Sequence, residues 1–209
     1  MNFIVAILIL FLFSCGNSVS QKNDQNSFRL VGGRCEGCEG VFEYDEKKLN
    51  SIDTLPDFNN EGVKIKITGT IYENDGKTPA EGVIMYIYHT DVNGIYSKGD
   101  ETGLAMRHGY NRGWIKTDRT GKYTFYTIKP GSYPESSNPA HIHPTILEPG
   151  GKYYWIEDFY FEGDEFLTER VKNPSSPRGG NGVLLLKEEG NILAGKRDII
   201  LGKNVPGYK

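Results

Sequence analysis

The chain has 209 residues, with 24 basic and 27 acidic side chains and a net charge of -3, which suits one globular domain and excludes a charged tail, a coil or a long array. Aromatic residues make up 12% of it, enough to build a sizeable core. Lysine and arginine are spread along the chain, with no basic run longer than the pairs Lys47-Lys48 and Lys196-Arg197, so no basic face is expected to follow a phosphate backbone, and nucleic acid is set aside as a partner.

Residues Phe3–Phe13 form an unbroken apolar run, too short to span a bilayer and of the right length for the core of a secretory signal. The run ends at Leu12-Phe13-Ser14-Cys15, which resembles a bacterial lipobox. Residues 1–15 are therefore expected to be a lipoprotein signal peptide, with Cys15 acylated as the first residue of the mature chain. The alternative is an ordinary cleaved signal with an incidental cysteine, since no Lys or Arg precedes the run. Acyl chains would hold an exported domain at a membrane of the bacterial cell envelope without crossing it.

Residues 16–60 are expected to be a polar tether and an N-terminal segment. Gly16–Ser27 has no periodic apolar pattern, as in a flexible linker. Cys35 and Cys38 form Cys-Glu-Gly-Cys. In an oxidising compartment that spacing favours a local disulfide, and no second cysteine pair exists to complete a zinc site; a redox pair stays open.

The domain proper is expected over 61–209. From Val63, apolar Val63, Ile65, Ile67 and Ile71 alternate with Lys64, Lys66, Thr68 and Thr70, the period-two pattern of a strand with one buried face. After the Asn74-Asp75-Gly76 turn, Val83–His89 reads as a strand, followed by the Asn93-Gly94 turn. Further strands are expected at Gly113–Thr117, Tyr123–Ile128, Ala140–Leu147, Asp158–Phe161, Val183–Lys187 and Ile192–Leu201. No helix of normal length appears, so helical crossovers are lacking and the fold class is all-β, an antiparallel sandwich or barrel. The longest irregular stretches, Ser97–Arg112 and Lys172–Asn181, have the length of functional loops.

His141-Ile142-His143 lies in an expected strand, where alternate residues share a face and stand about 6.5–7 Å apart. That suits two ligands of one metal, but zinc, copper and cupin sites use the same spacing, and so do ordinary exposed faces. Residue types alone neither choose further ligands among 13 tyrosines nor exclude His89 and His108 as third and fourth ligands of a zinc or copper site.

The stretch from Arg112-Gly113-Trp114 through Asp118-Arg119-Thr120-Gly121-Lys122-Tyr123 to Lys129-Pro130-Gly131-Ser132-Tyr133-Pro134, followed by Pro139-Ala140-His141-Ile142-His143, resembles the intradiol ring-cleavage dioxygenases, in particular the protocatechuate type. Gly69-Thr70-Ile71-Tyr72, Asp91-Val92-Asn93-Gly94-Ile95-Tyr96 and Phe159-Tyr160-Phe161-Glu162-Gly163-Asp164 extend the similarity, which covers about residues 63 to 168. The resemblance implies an intradiol-type antiparallel β-sandwich with long connecting loops, and ferric iron, Fe(3+), held by Tyr96, Tyr133, His141 and His143. With little room before the domain for the helical N-terminal dimerisation segment of the catechol branch, the chain is expected to be closer to the single-sandwich branch.

The ligand chemistry is coherent. A tyrosine has a pKa of about 10, so it ligates as an anion only where a strong Lewis acid displaces its proton. Two phenolates stabilise the ferric over the ferrous state, and neutral imidazoles leave room for a chelating diol. The implied substrates are a small aromatic diol and dioxygen, in aromatic compound catabolism. Tyr133 is implied as the catalytic residue that gives way to the diol and takes its proton, and ring opening between the hydroxyl carbons yields a muconic acid.

Two positions depart from the family pattern. Asn138 stands where the family carries an Arg three residues before the first ligand histidine, and Asp158 where it carries a Gln; both are expected at the substrate. Loss of a fixed charge there weakens catalysis, and an added anion disfavours a catecholate. Arg107 or Arg112 would then fold back to replace the charge, the alternative being that both are solvated. Two other readings stay open: an iron- or catechol-binding sandwich that does not cleave rings, and a structural or carbohydrate-binding sandwich without metal.

Overall fold

A computed structural model describes residues 28–45, 47–99 and 103–209. The signal peptide with Cys15 and the Gly16–Ser27 tether lie outside the described residues. In chain order the strands are β1 (Arg29–Leu30), β2 (Ile52–Thr54), β3 (Lys64–Tyr72), β4 (Ile84–Tyr88), β5 (Arg112–Lys116), β6 (Lys122–Ile128), β7 (His141–Leu147), β8 (Lys152–Trp155), β9 (Phe159–Phe161), β10 (Val183–Leu184), β11 (Lys187–Glu189), β12 (Ile192–Lys196) and β13 (Ile199–Ile200). The helices are single turns: α1 (Ala105–His108), α2 (Glu169–Lys172) and 3-10 turns at Cys38–Phe42 and Pro56–Asn59.

Two sheets face each other. One runs β1-β8-β7-β4-β5, with β9 beside β7 and β10 beside β9; the other runs β11-β12-β3-β6-β2, with β13 beside β3. The alternation in β3 buries Ile65, Ile67 and Ile71 completely, as period two requires when one face meets the opposite sheet. These side chains pack with Met85, Ile87, Phe125, Ile142, Ile146 and Phe159 in the main core.

β4 is buried on both faces, which explains its unbroken apolar sequence. Met85 and Ile87 enter the main core, while Ile84 and Tyr86 join a second cluster with Val41, Trp114 and Leu147 on the outer face of the sheet. The cover over that face is the N-terminal segment. Trp114 Nε1 donates to Gly40 O at 3.0 Å, and the Cys35–Cys38 disulfide closes the loop in front of it. The folded body therefore begins well before residue 61: β1 pairs with β8 and β2 with β6.

The expected antiparallel pairing holds at the centre, for β3–β6, β4–β5, β4–β7 and β7–β8. The flanking pairs β1–β8, β2–β6, β9–β10, β3–β12 and β3–β13 are parallel. Each of those strands is separated from its partner by a long connection, and no tight turn dictates its direction. The expected strand Ile192–Leu201 breaks between β12 and β13. There the Arg197 guanidinium turns inward and donates to Glu157 O at 2.7 Å and Gly180 O at 3.2 Å.

Candidate metal centre

The outer face of β7 carries His141 and His143, because the alternate residues Ile142 and Ile146 are taken by the main core. Pairing of Tyr88 with His143 across β4 and β7 lays the Tyr88 ring on the imidazole, with centroids 4.7 Å apart. Tyr96 and Tyr133 sit on the loops that follow β4 and β6.

Those two loops are fastened together by glycine. Gly131 N–H donates to Asp91 O at 2.8 Å, and Thr90 Oγ1 donates to Gly131 O at 2.9 Å. Gly94 has φ 76°, and a Cβ there would lie 1.8 Å from Ser132 O. Only glycine permits both the left-handed backbone and this approach. Tyr96 and Tyr133, each two residues beyond one of these glycines, consequently meet.

Four donor atoms converge. His141 Nε2 and His143 Nε2 are 3.0 Å apart, and Tyr133 Oη lies 3.2 Å from each. Tyr96 Oη is 3.1 Å from His143 Nε2 and 2.6 Å from Tyr133 Oη. The other ring nitrogens are committed elsewhere: His141 Nδ1–H donates to Pro139 O at 2.7 Å and His143 Nδ1–H to Asp158 Oδ1 at 3.0 Å. Both Nε2 atoms thus present lone pairs. Two phenolic protons cannot satisfy all of these contacts, and the two lone pairs repel; a shared cation would satisfy the whole set.

Burial, followed by the Tyr133 hydroxyl, pushes the Tyr96 phenol far above its usual value, and burial raises Tyr133. Burial, then the neighbouring His143, lowers His141. All three shifts favour neutral side chains. Burial alone would raise Asp158, but the attraction and hydrogen bond of His143 hold it below the usual carboxylate range.

Asp158 lies close enough to join His141 and His143 in a candidate triad. Geometry assigns it another place: its oxygen meets Nδ1 of His143, on the far side of the ring from the convergent Nε2 atoms. Asp158 thus backs His143 through one oxygen while also bordering the cavity. Neither of the other histidines belongs to the cluster. His89 is buried, with Nδ1 on Thr90 O at 2.7 Å and Nε2 on Thr127 Oγ1 at 2.7 Å, while Thr127 donates to Asp57 at 2.8 Å. His108 is bound to Tyr86 Oη at 2.8 Å and stacks on Tyr88 at 3.8 Å, so the Tyr88 ring separates it from His143.

A cavity of about 540 Å³ opens over the cluster, lined by Tyr88, Tyr96, Tyr133, His143 and Asp158 inside and by Arg34, Cys35, Glu36, Arg107 and His108 at the N-terminal side. Two expected substrate residues are not on its wall. Asn138 is exposed and its N–H bonds Ser136 Oγ at 3.1 Å. Arg112 is held by Glu43 at 2.6 Å and lies over the Trp114 ring. Its charge is consumed in fastening the N-terminal segment to β5, which is why it does not reach the site.

Arg112→Ala should therefore lower stability by about 1.5–3 kcal/mol, the worth of a hydrogen bond to a charged group. Chemical denaturation measures it, and an unchanged midpoint would contradict the role. Arg107 does reach the cavity wall, 52% exposed and 3.2 Å from Glu36. Sequence reasoning missed Arg34, Tyr88 and the wall made by the disulfide loop. Only the β4–β7 register and the closure of the N-terminal segment bring them in.

A two-sheet β-sandwich presenting two phenols and two imidazoles on the outer face of one sheet defines a class of non-haem donor site. Residues 42–179 match the family model described as Dioxygenase, and the chain belongs to the intradiol dioxygenase family. It is 28% identical over 156 residues to the protocatechuate 3,4-dioxygenase beta chain of Burkholderia cepacia, covering 67% of this chain and 65% of that one. It is 29% identical over 165 residues to catechol 1,2-dioxygenase 1 of Acinetobacter lwoffii, covering 68% and 51%. The chain thus spans less than two thirds of the length of these relatives. The dioxygenase domain of a dioxygenase–carbohydrate-binding fusion from Streptomyces sp. SirexAA-E shares the fold, with a TM-score of 0.55, 23% identity, and coverage of 76% of this chain and 94% of that one.

Proposed function

We propose that the chain is a non-haem ferric dioxygenase that opens a catechol-type aromatic between its two hydroxyl carbons, incorporating both atoms of dioxygen into a muconic acid. The single observation that carries this is the convergence of Tyr96, Tyr133, His141 and His143, with both Nδ1 atoms tied back. These four would hold the ion through Oη and Nε2. Ferric iron would supply there a Lewis acid for the diol.

Tyr133 is the group in position to take a proton. Its Oη touches both imidazoles and the other phenol, and it borders the cavity, so as the phenolate that a bound ferric ion would leave, it can accept the proton of an entering hydroxyl. Tyr96, His141 and His143 keep the site assembled. The Tyr88 ring excludes water from one side of His143.

The test is a visible spectrum of iron-loaded protein with and without catechols, together with oxygen uptake. A phenolate-to-iron band that shifts with catechol, with uptake and a muconate product, is the expected result. A shift without product supports the second reading, an iron- or catechol-binding sandwich, which the exposure of Asn138 and the ion pairing of Arg107 favour.

Proton release offers another check. Both phenols are held neutral, so ferric uptake should release about two protons per ion from the protein, after subtraction of those the freed chelator takes up, and weaken steadily as pH falls. A pH-indicator titration measures this, and uptake without release would mean that the histidines alone hold the metal. We further propose an exported protein anchored through Cys15 at the cell envelope, a location compatible with the Cys35–Cys38 disulfide. Fatty-acid labelling lost in Cys15→Ser would support it.

A further inference from the structure

The two histidines of the cluster are not equivalent. His141 donates its Nδ1–H to a neutral carbonyl, Pro139 O, at 2.7 Å. His143 donates to a carboxylate, Asp158 Oδ1, at 3.0 Å. That carboxylate is itself placed with care: its other oxygen accepts from Tyr160 Oη at 3.3 Å, and its backbone is pressed against Gly182, where a Cβ would lie 1.8 Å from Asp158 O. Asp158 and Gly182 stand immediately before the paired strands β9 and β10, with Tyr160 N–H donating to Gly182 O at 3.0 Å.

We propose that Asp158 is a positioning residue that makes His143 the stronger donor of the pair, and so tightens the site and biases it toward the ferric state. The inference rests on the ferric reading given above. An imidazole whose Nδ1–H is shared with an anion carries more electron density at Nε2 than one bonded to a neutral acceptor, and its ring is fixed in the required tautomer. A Gln at this position can offer the same hydrogen bond but no charge. The extra anion also counteracts binding of an anionic substrate, so the arrangement exchanges affinity for catecholate against retention of iron.

The experiment uses the full chain and its Asp158→Asn and Asp158→Ala variants. It measures ferric affinity by chelator competition, the ferric/ferrous potential, and the position of the phenolate-to-iron band. Asn keeps the shape and an acceptor oxygen while removing the charge. Expected for Asp158→Asn are an affinity lower by about 10–100-fold, a more positive potential, and a band moved to longer wavelength, with an unchanged thermal midpoint of the iron-free protein. Asp158→Ala should lose at least as much affinity.

If Asp158→Asn matches the parent protein in affinity, potential and spectrum, the proposal is overturned while the ferric reading stands. The same holds if only Asp158→Ala changes them, since hydrogen bonding without charge would then suffice. Failure of the parent protein to bind ferric iron would end both.

Discussion

On the ferric reading, His141→Ala or His143→Ala should leave the protein without iron, lowering ferric affinity by well over about 100-fold, beyond what loss of an outer partner costs. Each Nε2 lies within 3.2 Å of the Tyr133 oxygen, so each removal takes one of four donors from a shared point. The core does not depend on them, because Ile142 and Ile146 supply the buried face of β7, and the thermal midpoint of the iron-free protein should move little. Tyr133→Phe should behave differently. Three donors remain, so iron should stay bound with a weakened visible band, while turnover falls by about 10²–10⁴-fold for want of the proton acceptor. Metal analysis beside oxygen uptake separates the two cases. Retention of full iron by both histidine variants would refute the assigned ligand set.

The second large effect comes from a residue that donates nothing. Gly94→Ala places a methyl group where Ser132 O stands at 1.8 Å and demands φ 76° of an alanine. The left-handed backbone alone costs about 1–2 kcal/mol. Relief of the clash must move the Tyr96 loop away from the Tyr133 loop, so stability and the visible band should both decline although every donor remains. Gly150→Ala is the control: nothing lies within 4 Å of its added Cβ, and a surface change of that kind stays within about 0.5 kcal/mol. Denaturant unfolding and iron titration on both variants decide it. A Gly94→Ala protein as stable and as tightly iron-loaded as its parent would show that the glycine clamp does not set the distance between the tyrosines.

Much of the architecture is readable from local pattern. Alternation over Val63–Ile71 and the Gly- and Asn-bearing turns give β3 and its neighbours close to their observed limits, because a strand with one buried face must alternate wherever it lies. The joint face of His141 and His143 follows from the same period of two. β1, β2 and β8 were not expected: β1 and β2 are only two and three residues long, and their apolar residues are largely exposed, so burial writes no pattern on them. The parallel flanks escaped for a related reason, since no hairpin records the direction of a strand that arrives by a long connection.

The candidate site divides in the same way. The residues alone left its ligands open; resemblance to the intradiol family named Tyr96, Tyr133, His141 and His143, and the fold brings those four together. Residue identity could not tell that Asp158 would back His143 as well as border the cavity, that Arg112 would be spent on Glu43, or that Asn138 would stay outside the cavity.

The sequence by itself determined the all-β class, the shared face of the two imidazoles and the proximity of Cys35 to Cys38, because each depends on backbone period or short chain distance. Only the tertiary structure decided which carboxylate meets which ring, which arginine reaches the cavity and that the N-terminal segment walls it. Those are contacts between residues such as Glu43 and Arg112, 69 positions apart, set by strand register and loop closure, and no local pattern of residues encodes either.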